Sequence, residues 1–247
     1  MSDVLTDEEL HLYSRHILLE AWDLDAQEAL KKSHILIIGA GGIGCTSAEI
    51  LARAGVGKIT IIDFDEIETS NLQRQIAFSP KDIGHSKVLT LAKHLQEINP
   101  FIQVKAIHQK VDQVFFDSLK PEFDLVLDGC DNFATRYAVN QYCVQQQIPL
   151  LSAAAIGLQG QLMFVNRAPC YQCVFPQSEI SDERRCSNSG VLTTTPILLA
   201  TLQAHHALLY LGLGQAPLKD KLLIWDGLNM SQRILKLQAD PDCPCCA

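Results

Sequence analysis

The stretch over residues 34–65, HILIIGAGGIGCTSAEILARAGVGKITIIDFD, leaves this chain few folds to choose from. An apolar run over 35–38 stops at Gly39-Ala40-Gly41-Gly42-Ile43-Gly44. A helical pattern follows, and a second apolar run over 59–62 closes on Asp63. The pattern predicts strand, glycine turn, helix and parallel strand. In such a unit one glycine permits the tight turn, one lets backbone N–H groups approach a phosphate, and one lets the helix pack on its strand. The phosphate then sits at a helix N-terminus, where unpaired N–H groups and the dipole favour negative charge. Asp63 lies nineteen residues beyond Gly44, where an acid can accept hydrogen bonds from a ribose. A packing turn in some other α/β protein uses the same glycines, but strand, helix and acid in register favour a nucleotide site.

The 247 residues are 47% apolar, enough for a full core and suited to one large α/β domain. A net charge of −8 argues against a nucleic-acid partner, because such proteins carry a basic face for phosphates. The N-terminus, MSDVLTDEEL, has neither a basic n-region nor an apolar h-region, so no export signal and a cytoplasmic location are expected. The most hydrophobic segment, 196–213, is interrupted by Thr201, Gln203, His205 and His206, which predicts a buried helix and no membrane span. His205 and His206 have no partner cluster in sequence and read as ordinary helix residues.

Thr6-Asp7-Glu8-Glu9 is a capping box that starts a helix, with Leu10, Tyr13 and Ile17 as its apolar stripe. Arg15 lies off that stripe, either a surface cation or one that projects toward a neighbour. Past the glycine unit, Ser70 is expected to cap a short helix that puts Asn71, Arg74 and Gln75 on one face, and Lys87 opens the next amphipathic helix. A pyrophosphate on a glycine turn rarely needs further cations; a triphosphate does. Gly39, Gly41, Gly42, Gly44, Asp63, Asp65, Asn71, Arg74, Gln75 and Lys87 therefore form a candidate ATP site.

Strands over 103–107 and 124–127, with a short helix over 113–119 between them, continue the alternation. The second leads into Asp128-Gly129-Cys130-Asp131-Asn132 and a helix to about 146. Asp131 either caps that helix or ligates Mg²⁺ on a triphosphate. From Pro149 strands over 150–153 and 159–165 follow with no helix between them, so the sheet is expected to turn antiparallel. A nucleotide half over about 1–150 thus joins a substrate half over about 151–247 in a single unit.

Nine cysteines in a chain of this size without an export signal suggest metal ligation over disulfides. Cys170-Tyr171-Gln172-Cys173 and Cys243-Pro244-Cys245-Cys246 form two short-spaced pairs, and two such turns complete a structural zinc site. The CxxC spacing favours Cys243 and Cys246 and leaves Cys245 unassigned. Cys186 follows Arg184 and Arg185, cations that raise its thiolate fraction, so it is either a nucleophile or an incidental loop thiol. Cys45, Cys130 and Cys143 read as core fillers.

Taken together, GAGGIG, DFDEIETSNLQRQ, the lysine of GHSK, DGCDN, CYQC and the terminal CPCC closely resemble the ThiF/MoeB adenylyltransferases, bacterial relatives of ubiquitin-activating enzymes. The resemblance runs from Tyr13 to Cys246. It implies a homodimer that binds Mg-ATP and the Gly-Gly tail of a small ubiquitin-like sulfur carrier protein, and joins that tail to AMP for molybdopterin or thiamine synthesis. It further implies that the Gly41 loop and Asp63 hold the nucleotide, that Asn71, Arg74 and Lys87 surround the triphosphate, and that Asp131 holds magnesium. Arg15 would reach the phosphates from the partner subunit, Cys170, Cys173, Cys243 and Cys246 would bind zinc, and Cys186 would lie on a loop over the carrier's tail. No appended rhodanese-like domain is expected after the last cysteines. The rival expectations are a nicotinamide-dependent oxidoreductase, which leaves Arg74, Lys87 and the thiols without a common purpose, and a non-catalytic partner-binding subunit.

Overall fold

The computed structural model describes residues 4–176 and 190–247. The chain opens with the anticipated box: the Glu9 N–H donates to the Thr6 hydroxyl at 3.2 Å and the Thr6 N–H to Glu9 Oε2 at 3.1 Å. The helix it starts, α1 (Asp7–Leu12), does not run on as one piece; it stops at Tyr13 and resumes as α2 (Ser14–Ile17). At the break the Tyr13 ring is buried and its hydroxyl accepts a 2.8 Å hydrogen bond from Asn99. A further helix, α3 (Asp23–Lys32), was not anticipated.

Then come β1 (His34–Ile38), α4 (Gly44–Ala54), β2 (Lys58–Asp63), α5 (Lys87–Ile98), β3 (Gln103–His108), α6 (Gln113–Ser118), β4 (Leu125–Asp128) and α7 (Phe133–Gln146). The second half holds β5 (Leu150–Ile156), β6 (Gln159–Val165), α8 (Tyr171–Val174), α9 (Thr194–Leu213), β7 (Lys221–Asp226) and β8 (Ser231–Lys236). All eight strands share one sheet in the order β3-β2-β1-β4-β5-β6-β7-β8. Pairing is parallel from β3 to β5 and antiparallel from β5 to β8. The change is forced at β5, because only a hairpin can join strands separated by so short a connection. The closing hairpin of β7 and β8 is a further addition to the sequence reading.

Helices cover both faces of the parallel part, which is why β1 and β4 are buried at every residue and read as unbroken apolar runs. Burial of Ile35, Leu36 and Ile37 alone contributes roughly 5–9 kcal/mol. The long apolar helix α9 has the length and composition to cross a membrane. It packs instead on β5, β6, α3 and α4, burying Leu199, Ala200, Ala204 and Ala207, while Leu198, Leu202, Leu208 and Leu211 remain half-buried. The strand order reverses direction between β1 and β4, and open α/β sheets hold ligands at the carboxyl ends of strands at such a point.

Candidate functional site

At that reversal a cavity of about 820 Å³ opens. Its β1–β2 side carries Gly39, Gly41, Gly42, Asp63, Asp65, Asn71, Arg74, Gln75 and Lys87. Its β4 side carries Cys130, Asp131 and Arg136, and it continues past Ala154 and Ala155 of β5 and Gln159 and Gln161 of β6 to Tyr171 and Phe175. The glycine turn is shaped by two residues in particular. Gly39 adopts φ +93°, a left-handed conformation that favours glycine. A Cβ on Gly44 would lie 1.8 Å from the Gly39 carbonyl oxygen, so the start of α4 can close on the turn only without a side chain.

Asp63 is fixed from both ends, with Oδ2 accepting from the Ala40 N–H at 2.6 Å and Oδ1 from the Asp65 N–H at 2.7 Å. Burial pushes its carboxyl above the usual carboxylate range, and those two hydrogen bonds and the Lys87 charge oppose the shift. Lys87 is buried, and its ammonium donates to Asp65 Oδ2 at 2.8 Å. A second carboxylate, Asp128, ends β4 at 1% exposure. It accepts from Arg136 Nη1 at 3.0 Å, the Ser152 hydroxyl at 2.6 Å and the Cys130 N–H at 2.8 Å. Arg136 donates further to the Ala153 carbonyl at 2.9 Å and to the Cys130 carbonyl. This buried pair fixes the turn that presents Asp131 to the cavity.

Beyond β6, Cys170 caps α8, Cys173 lies within it, and both meet the tail. Sγ separations are 3.7 Å for Cys170–Cys243, 3.4 Å for Cys173–Cys246 and 3.9 Å for Cys170–Cys173. A tetrahedron of thiolates about 2.3 Å from zinc has edges of roughly 3.8 Å, so these four sulfurs fit the ion. The Asn140 side chain supports the cluster from α7: Oδ1 accepts from the Tyr171 N–H at 2.9 Å, and Nδ2 donates to Cys245 Sγ at 3.1 Å.

A model of the ThiF family matches residues 13–245. This chain belongs to that family. It is 37% identical to the molybdopterin-synthase adenylyltransferase of Escherichia coli, over 98% of each chain. It is 38% identical to the sulfur carrier protein ThiS adenylyltransferase of the same organism, over 98% of this chain and 97% of that one. With the maize adenylyltransferase and sulfurtransferase MOCS3-1 it shares 39% identity but spans only 52% of that protein's length. Among solved structures, E. coli MccB with ATP superposes with a TM-score of 0.79 at 25% identity, over 90% of this chain and 69% of that one.

Within this ThiF fold most of the sequence candidates fall in one cavity by routes the pattern did not give. Ser70 caps nothing; a 3-10 turn over Thr69–Asn71 is closed by Glu68 and Asn71, whose Oδ1 accepts from the Glu68 N–H at 3.1 Å. Arg74 is folded back so that Nη1 donates to the Ser70 carbonyl at 2.9 Å. Asn132, not Asp131, caps α7 through the Thr135 N–H, which leaves Asp131 exposed at the cavity edge. Gly44 lies beneath the turn and does not line the cavity, and Cys130 lines it where a core filler was expected. Cys45 and Cys143 are buried as expected. Arg15 is exposed on α2, outside the cavity. Cys186 lies outside the described residues. The sequence reading missed Arg136, Ser152, Gln203 and Tyr171; only Tyr171 carried a signal, its place between two zinc-spaced cysteines.

Proposed function

We propose that this chain is an ATP-dependent adenylyltransferase that activates the C-terminal Gly-Gly carboxylate of a small ubiquitin-like sulfur carrier, for molybdopterin or thiamine synthesis. The observation that supports it best is the continuity of the cavity. Phosphate-binding groups, an exposed carboxylate and a channel along the antiparallel strand ends lie in one space. That space can hold a nucleotide at one end and an extended peptide at the other.

The turn N–H groups at 39–44, with Arg74 and Lys87, would hold the triphosphate, and Asp63 the ribose. Lys87 is already charge-paired with Asp65, so a phosphate entering beside it shares an ammonium already held in place. Asp131 would hold Mg²⁺, which would supply positive charge to neutralise the triphosphate. The tail carboxylate then forms a bond to the α-phosphorus as the bond to the bridging oxygen breaks. Acyl-adenylate and pyrophosphate result, and no general base is needed because the nucleophile is already an anion. The four-thiolate cluster would hold structural zinc. We also propose a cytoplasmic homodimer in which Arg15 reaches the partner's phosphates; the half-buried leucines of α9 are a surface such a partner could cover. Cys186 is carried as a candidate for covalent sulfur chemistry.

A nicotinamide redox reading leaves Arg74, Lys87 and the tail channel without a role, and a purely docking subunit needs none of Asp131, Arg74 and Lys87. Exchange of labelled pyrophosphate into ATP, with each candidate carrier and with mass spectrometry of the product, tests the proposal. Asp131→Ala should abolish exchange while leaving the melting temperature in place. Full activity in that variant would refute the metal role.

A further inference from the structure

Among the described residues three buried side-chain polar atoms lack a hydrogen-bond partner: Gln75 Oε1, Ser86 Oγ and the Tyr171 hydroxyl. Gln75 and Tyr171 both line the cavity, and Tyr171, 2% exposed, stands apart in sitting on the turn between two cysteines of the four-thiolate cluster. A buried hydroxyl without a partner costs about 1–3 kcal/mol in a folded protein, so its retention needs a reason. The nearby Arg136 guanidinium, centred 6.0 Å from the ring, does not supply one. Guanidinium only donates, so any contact with it uses the phenol oxygen and leaves the phenol proton without an acceptor.

We propose that the Tyr171 hydroxyl binds substrate, donating a hydrogen bond to a carbonyl or carboxylate oxygen of the polypeptide end that is adenylated. The inference rests on the adenylation reading above and names one contact of its peptide side. Two features select the peptide over the nucleotide. Tyr171 leans on Arg136, which is anchored to β4 and β5, whereas the candidate phosphate-binding residues Arg74 and Lys87 line the β1–β2 side. Its flanks are aromatic, with Phe175 at 4.8 Å and Tyr137 at 5.9 Å between ring centroids. Such walls would strip water from a polyanion without replacing it, but they suit a backbone that needs one donor. Ala154 and Ala155 line the same stretch of cavity, leaving headroom for a tail that carries no side chains of its own.

The test is Tyr171→Phe in the full zinc-loaded chain, with magnesium ATP and two Gly-Gly-ended carriers, one from molybdopterin and one from thiamine synthesis. Pyrophosphate release should show kcat/KM for the carrier lowered about tenfold or more, the size of one hydrogen bond to a polar or charged acceptor. The Kd for ATP alone should stay within about twofold, and the melting temperature should hold, because the deleted phenol proton had no acceptor to lose. Unchanged kcat/KM, an equal loss of ATP affinity, or a melting temperature lowered by several degrees overturns the assignment. A wild-type chain that adenylates neither carrier overturns the reading beneath it, and is told apart by failing before any variant is compared.

Discussion

Arg136→Met is the sharpest test of how the site is held. It removes the guanidinium that donates to Asp128 at 3.0 Å, Ser152 at 3.1 Å, the Ala153 carbonyl at 2.9 Å and the Cys130 carbonyl. Asp128 stays 1% exposed with only the Ser152 hydroxyl and the Cys130 N–H against its charge. Removing one partner of a buried pair costs about 3–5 kcal/mol, because the surviving charge is uncompensated. At about 2–4 °C per kcal/mol for a chain of this size, the melting temperature should fall by roughly 6–20 °C. Asp128→Asn added to Arg136→Met takes away that charge and should recover most of the loss, a positive coupling in a double-mutant cycle. Urea unfolding of the zinc-loaded protein followed by circular dichroism gives all four corners of the cycle. A single variant within about 1 kcal/mol of wild type, or strictly additive losses in the double, would refute the argument.

Gly44→Ala would set a Cβ 1.8 Å from the Gly39 carbonyl and force the turn open, so equilibrium dialysis should show ATP affinity lost with zinc content unchanged. Wild-type affinity would show that the turn does not hold the phosphates. Cys170→Ser should lower both the zinc bound per chain, read by mass spectrometry, and the melting temperature, since structural zinc contributes folding energy directly. An unchanged midpoint with no zinc bound counts against the site. Burial, with the His205 charge in support, pushes His206 down to about 4, whereas an unfolded histidine titrates near about 6.5. Its contribution to stability is therefore complete above the unfolded value and lost as pH falls toward the folded one, because the unfolded chain takes up the proton first. His206→Asn should flatten the melting temperature against pH across that window; parallel curves for the two proteins would contradict it.

The first βαβ unit was legible because its glycines, its two apolar runs and Asp63 each carry a local reason to be where they are. Helix α3 and β8 were not, since their residues are mixed in polarity and every residue of β8 is exposed, whereas β7 carries an apolar run over 222–225 that the reading passed over. Ser70 was assigned a cap because its type fits one, yet it lies inside the 3-10 turn that Glu68 and Asn71 close. The four cysteines that cluster announced themselves by spacing. Arg136 could not, because an arginine within a polar helix looks solvated until the strand end beneath it is known. Tyr171 was visible between its cysteines, but only the folded cavity shows that its hydroxyl lacks a partner.

Gln203 is a strap between layers. From α9 its amide donates to the Asp128 and Leu151 carbonyls at 2.9 Å each, while its oxygen accepts at 2.8 Å from Ser47 of α4. One side chain thus fastens the helix that begins at the glycine turn to the strand that leads to Asp131. The two jaws of the cleft are therefore rigidly linked, and neither can shift to meet a nucleotide without carrying the other along. Adjustment to an incoming guest falls on exposed side chains such as Asp131, which stands outside that frame.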